Sequence, residues 1–301
     1  MKRNSAIVAV VLVLLVLSVG VYAGYLYYVG IQSRSPTELR VFIAASLVNV
    51  VKENQQAFEK SNNAKILFNA GGSDALYQQI VSGSPADVFM AADFKWLDKL
   101  RTGGLLYEDK YWNFTTNILV VILPADNPSN ITSLLDLTKP GVRIVVGGPT
   151  VPCGKYTNIT LTKIDMTWGN KASPKYKGEL WDHFRDRVVK NIISYEPSVD
   201  QITGKVLTDT ADAGFVYISD AQAGGSKLKF LEIPAEVNTL ATYGMGVIKA
   251  SSHYDLAQRY VDFWLSSEGQ DLLHKFGFGG TLSALSLTVR VSPTSKALEI
   301  S

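Results

Sequence analysis

Apolar and polar positions along this chain keep switching between a strand rhythm and a helix rhythm. Leu39–Ala44 is a β-rich apolar run, and Leu47, Val50, Val51, Asn54 and Phe58 then follow helical spacing. Ala64–Ala70 predicts a second strand, closed by Gly71-Gly72-Ser73, after which Leu76, Tyr77, Ile80 and Val81 mark a second helix face. Ala86–Ala91 and Phe94–Leu100 repeat the pair. Asn117–Leu123 predicts a long apolar strand, stopped by Pro124. A second series follows: strand Arg143–Val146, a Gly/Pro-rich loop at 147–154 leading to a helix, strand Asn191–Tyr195, a helix face of Val199, Ile202, Val206 and Leu207, and strand Ala213–Ser219. Thr242–Lys249 is extended, and Tyr254–Phe276 supplies two amphipathic helices. Strands alternating with helices at this spacing predict an α/β fold with crossover connections.

The first 33 residues obey neither rhythm. Lys2 and Arg3 precede a stretch from Asn4 to Ser33 without a charged residue. As a helix, Ala6–Ile31 would reach ~39 Å, more than a ~30 Å hydrocarbon core requires. Basic residues ahead of the span place the N-terminus inside and everything from about Arg34 outside. The pattern predicts an uncleaved single-pass anchor in the cell membrane, with a cleaved signal peptide as its rival, since Val21-Tyr22-Ala23 loosely fits a cleavage site. Residues 34–38 form a short polar tether.

Composition then removes whole classes. Hydrophobic residues make up 47% and charged residues 19%, which excludes a disordered chain. Lys plus Arg is 29 against 27 for Asp plus Glu, a net charge of +2, too balanced for a nucleic-acid binder. The single cysteine, Cys153, excludes a disulfide framework and a multi-Cys zinc site, and the three histidines show no HExxH spacing.

What remains is chemistry at strand-to-helix junctions. Four carry hydroxylic or Gly/Pro residues: Ala44-Ala45-Ser46-Leu47, Gly71-Gly72-Ser73, Val151-Pro152-Cys153-Gly154 and Pro197-Ser198-Val199. Helix N-termini expose unpaired N–H groups and about half a positive charge, so several together make an anion site without Lys or Arg. Taken singly, a Ser at such a junction first predicts an N-cap.

The ordered set of motifs Val41-Phe42-Ile43-Ala44-Ala45-Ser46-Leu47, Gly71-Gly72-Ser73, Pro85-Ala86-Asp87-Val88-Phe89 with Ala91-Ala92-Asp93, Val151-Pro152-Cys153-Gly154-Lys155-Tyr156 and Asp212-Ala213-Gly214-Phe215-Val216-Tyr217 resembles the periplasmic molybdate-binding proteins of ABC importers, over about residues 39–280. The resemblance implies a two-lobed type II periplasmic-binding-protein fold: two mixed sheets flanked by helices, with a ligand cleft at the hinge. It implies lobe I over 39–119 plus 246–285, lobe II over 120–245 and a tail over 286–301. The implied ligand is molybdate or tungstate, held by hydrogen bonds alone and delivered to an ABC permease with its cytoplasmic ATPase, by a monomer tethered to the membrane and needing no cofactor. Carried over by position, Ser46 and Ser73 would donate hydroxyl and backbone N–H groups, Cys153 and Val199 backbone N–H groups, and Tyr217 its phenol O–H. Three carboxylates depart from this pattern: Asp74, Asp200 and Glu196 stand beside those positions and could reach the ligand, or simply favour a first helical turn. Leu161–Lys190 is longer than the resemblance implies, and serves either as packing for the smaller lobe or as a permease contact. Another anion of the same fold (sulfate, phosphate or a small organic acid) is the alternative ligand. A surface sensor, or a hydrolase built on Asp74 and Asp200, is the alternative class.

Overall fold

The computed structural model describes residues 14–27 and 35–279. Residues 14–27 (α1) are helical, with every side chain exposed. Among the described residues no helix is long and apolar enough to cross a membrane. The expected anchor over 1–33 lies largely outside those residues, as do the tail over 286–301 and the last six residues given to lobe I.

From Thr37 the two rhythms become strands and helices in the expected order. They are β1 (Thr37–Ala44), α2 (Val48–Asn62), β2 (Ala64–Gly71), α3 (Ser73–Val81), β3 (Val88–Ala91), α4 (Phe94–Thr102) and β4 (Trp112–Pro124). The second series is β5 (Ile144–Gly147), α5 (Pro152–Trp168), α6 (Phe184–Lys190), β6 (Ile192–Glu196), α7 (Val199–Leu207), β7 (Ala213–Tyr217), α8 (Ile218–Gly224), β8 (Leu228–Glu232), β9 (Leu240–Val247), α9 (Tyr254–Leu265) and α10 (Ser267–Lys275). Strands β3, β5 and β7 are buried at every residue. That is why they are short continuous apolar runs and not alternating ones.

The strands form one continuous sheet in the order β2-β1-β3-β9-β4-β7-β5-β6, with β8 also on β4, where two separate sheets were expected. The cause is the length of β4. Its residues 112–118 pair antiparallel with β9, and its residues 119–124 pair antiparallel with β7 and β8. The first half of the sheet combines parallel β1, β2 and β3 with antiparallel β9. The second half combines parallel β5, β6 and β7 with β4 and β8. One large apolar core runs through both halves, and a smaller cluster around Phe42, Phe89, Trp96 and Leu97 lies beneath α3 and α4.

Three local differences from the sequence reading have simple causes. The strand expected to run to Ser219 stops at Tyr217, because α8 begins at Ile218 and the Asp220 carboxylate accepts the Tyr217 N–H at 3.1 Å. Strand β8 is absent from the sequence reading, since its burial pattern alternates weakly in a Lys-flanked segment. Within Leu161–Lys190, α5 continues to Trp168, which is buried, meets Trp181 edge-on at 4.7 Å and lies under Lys177 Nζ at 3.5 Å. Trp168 Nε1 donates to Glu236 Oε1 at 2.6 Å. The extra length therefore folds back as packing against α5 and the loop before β9.

Candidate functional site

The carboxyl ends of β1, β2, β3, β5, β6 and β7 meet at one point, where open α/β sheets bind ligands. There they enclose a small cavity walled by Ala44, Ala45, Ser46, Gly71, Gly72, Ser73, Ala92, Val151, Pro152, Cys153, Ser198, Val199 and Tyr217. The cavity is small, about 20 Å³, the scale of one compact ion. The wall has no Lys, Arg, His, Asp or Glu. Its polarity comes from hydroxyls and from the first turns of α3, α5 and α7, whose leading N–H groups have no intrahelical acceptor.

All five residues expected to hold a ligand are brought together in this wall: Ser46, Ser73, Cys153, Val199 and Tyr217. Each is at least nine-tenths buried. The Ser46 hydroxyl lies 2.9 Å from the Tyr243 hydroxyl, and Ser73 Oγ accepts the Ala92 N–H at 3.1 Å. Neither serine caps a helix, and Ser198, the N-cap residue of α7, makes no side-chain cap bond either. The capping that these junctions first suggest is therefore not what their hydroxyls do. The Tyr217 phenol oxygen is buried and has no protein partner. Burial pushes its pKa well above the ordinary tyrosine value, so the group stays a donor. The Cys153 thiol donates to the Phe215 carbonyl at 3.2 Å, and burial pushes that thiol up and out of reactivity.

The three carboxylates stand outside the wall. Asp74 Oδ2 accepts from Thr150 Oγ1 at 2.6 Å. Glu196 is buried against Lys205 Nζ at 2.5 Å and Ser194 Oγ at 2.6 Å. Burial alone would raise its carboxyl, but those two donors outweigh it and hold the pKa low. Asp200 is exposed on the first turn of α7. Among the described residues no group of His, Cys, Asp and Glu could hold a metal ion.

Several contributors escaped sequence reasoning. Tyr243 lies in a run recognisable only as extended, and nothing local in the sequence connects β9 to Ser46. Gly72 permits close approach: a Cβ there would stand 2.3 Å from the Pro197 carbonyl oxygen at the foot of α7. Gly154 does the same inside the second half, where a Cβ would fall 2.2 Å from the carbonyl oxygens of Gly147 and Gly148. Two polar contacts join the halves beside the cavity, Thr150 to Asp74 and Lys155 Nζ to Asp93 Oδ2 at 2.5 Å. Both Lys155 and Asp93 lie inside motifs visible in the sequence, but their pairing across the cleft is not.

Residues 39–279 match the family described as bacterial extracellular solute-binding proteins. The molybdate-binding protein ModA of Mycobacterium tuberculosis is 33% identical over 239 residues, covering 79% of this chain and 83% of that protein. The substrate-binding domain of a putative molybdenum ABC transporter from Clostridium difficile superposes with a TM-score of 0.59 at 30% identity, covering 81% of this chain and 99% of that one. The Azotobacter vinelandii periplasmic molybdate-binding protein reaches a TM-score of 0.67 at 20% identity over 80% of this chain and 98% of its own.

Proposed function

This chain belongs to the bacterial extracellular solute-binding proteins, and from that premise we propose that it captures molybdate or tungstate outside the cytoplasm and delivers it to an ABC permease. The observation that carries the reading is the wall itself: a cavity sized for one ion, lined by donors, with the Tyr217 O–H buried and unpartnered. A fully ionised tetrahedral oxyanion presents acceptors only, which is what such a wall requires. Ser46, Ser73 and Tyr217 donate through side chains, and Cys153 and Val199 through main-chain N–H groups. Each hydrogen bond to a charged acceptor contributes ~1.5–3 kcal/mol. About six would support binding near nanomolar after ordering costs.

Asp74, Asp200 and Glu196 take no part in this shell. A carboxylate against a dianion would repel it, and two of the three already have partners. The small cavity favours a compact inorganic anion over an organic acid. Sulfate is acceptor-only as well and is the second reading, separated from molybdate by the size of the closed cavity. No chemistry is done on the ligand. The two halves of the sheet act as lobes that close about β4 and β9, the pair that crosses between them. The span over 1–33 tethers a monomer to the membrane, with the binding domain outside.

Calorimetric titration of the full chain in mild detergent with molybdate, tungstate, sulfate and phosphate tests the reading. Submicromolar binding of molybdate or tungstate, with sulfate far weaker, is expected. No heat from either oxometalate with a folded protein would overturn it.

A further inference from the structure

We propose that Ser198 is a further anion-binding residue, a fourth hydroxyl donor that the second half of the sheet brings to the cavity. The inference rests on the oxyanion reading of the site. It adds a side-chain contact at a junction where the family pattern assigns only the main chain of Val199.

Ser198 stands immediately before α7, in the N-cap position, with extended backbone (φ −162°, ψ 163°). A serine in that place ordinarily turns its oxygen back to accept an N–H from the first turn of its helix. Ser198 makes no such bond, and its hydroxyl has no other hydrogen-bond partner among the described residues. Two other hydroxyls of the wall are tied to the protein: Ser46 Oγ is paired with the Tyr243 hydroxyl, and Ser73 Oγ accepts the Ala92 N–H. Only Tyr217 shares the state of Ser198, with a phenol oxygen that has no protein partner. Both unpartnered hydroxyls belong to the second half.

Burial makes this state matter. A serine on the surface that lacks a protein partner is simply solvated by bulk water. Ser198 is only 5% exposed and forms part of the cavity wall, so the cavity is the polar surrounding left to it. A hydroxyl held there without a partner is unfavourable, and an anion oxygen in the cavity relieves it. Because such an anion offers acceptors only, the hydroxyl rotates to donate. The main chain holds Ser198 in place. Its carbonyl accepts the Ile202 N–H at 3.3 Å, and the carbonyl of Pro197 before it closes on Gly72 at the seam between the halves. Each half then brings two hydroxyls to the anion: Ser46 and Ser73 from the first, Ser198 and Tyr217 from the second.

The test compares the full chain with Ser198→Ala and Ser198→Asp by calorimetric titration with molybdate, and measures the ligand-free melting temperature of each. Ser198→Ala should weaken molybdate about tenfold, the loss of one hydrogen bond to a charged acceptor. Its ligand-free melting temperature should be unchanged, because no cap bond is lost. Ser198→Asp keeps a side chain suited to the N-cap position but sets a carboxylate where the hydroxyl stood. It should weaken molybdate at least a hundredfold, since two negative charges at close range repel. An affinity within about twofold in Ser198→Ala would overturn this inference and leave the oxyanion reading standing. So would a weakened Ser198→Ala whose ligand-free melting temperature falls with it, the mark of a cap, or a folded Ser198→Asp that binds as well as Ser198→Ala. Absence of oxyanion binding by the unmodified chain would overturn both.

Discussion

At the scale of single residues, the site divides into positions where the side chain matters and positions where only the main chain does. In the proposed site Ser46 and Tyr217 would act through their hydroxyls, whereas the Cys153 thiol is already committed to the Phe215 carbonyl. Ser46→Ala should therefore weaken molybdate about tenfold or more, and Cys153→Ala should leave affinity within about twofold, both read by calorimetry. That these five positions line one cavity was legible in the sequence because each sits in a short motif at a strand-to-helix junction. Tyr243 was not. It lies 197 residues from Ser46, and only the sheet order brings β9 near the end of β1. The carboxylates beside the motifs were visible too, but only three-dimensional partners reveal that Asp74 faces Thr150 and Glu196 faces Lys205.

At the scale of elements, the cavity is a meeting of helix starts. This depends on backbones approaching more closely than most side chains allow. Gly72→Ala would set a methyl group against the Pro197 carbonyl oxygen, which the closed arrangement cannot hold. We expect that variant to keep its thermal stability without ligand yet bind molybdate at least tenfold more weakly, since the halves would stay apart. The start of α8 makes a different prediction. Burial raises the Asp220 carboxyl to about 7, the Tyr217 N–H opposing the shift and the charge of Asp200 adding to it. A carboxyl raised in the folded state contributes stability that is complete below its ordinary value of 3.8 and is lost as pH climbs through about 7. Relative to Asp220→Asn, the unmodified chain should lose stability across that window in denaturant melts. Helix periodicity and the apolar strands carried most of the elements into the sequence reading. Strand β8 and the exact stop of β7 did not register, because a weakly alternating edge and a strand–helix junction leave little local trace.

At the scale of the whole molecule, the two halves share β4, β9 and one apolar core, and polar contacts join them beside the cavity. Thr150 to Asp74 and Lys155 to Asp93 exist only while the halves are together. Lys155→Ala and Thr150→Val should each speed molybdate release a few-fold in stopped-flow measurements, with little change in the capture rate. A double-mutant cycle between Lys155 and Asp93 should return a coupling that disappears in the ligand-free chain. The long β4 that joins the halves also sets how the chain must be assembled. The second half closes among residues 119–232, a contiguous stretch that emerges in one piece. The first half cannot finish its sheet until β3 finds β9, with Val88 opposite Val247 and Ala91 opposite Gly244. A binding domain that emerges across a membrane in sequence order must therefore hold β1, β2 and β3 unfinished while the second half folds. Contacts so distant in sequence form slowly. The earliest segments to arrive outside are the last to be locked, and the interval between the two is when this protein most needs protection from aggregation.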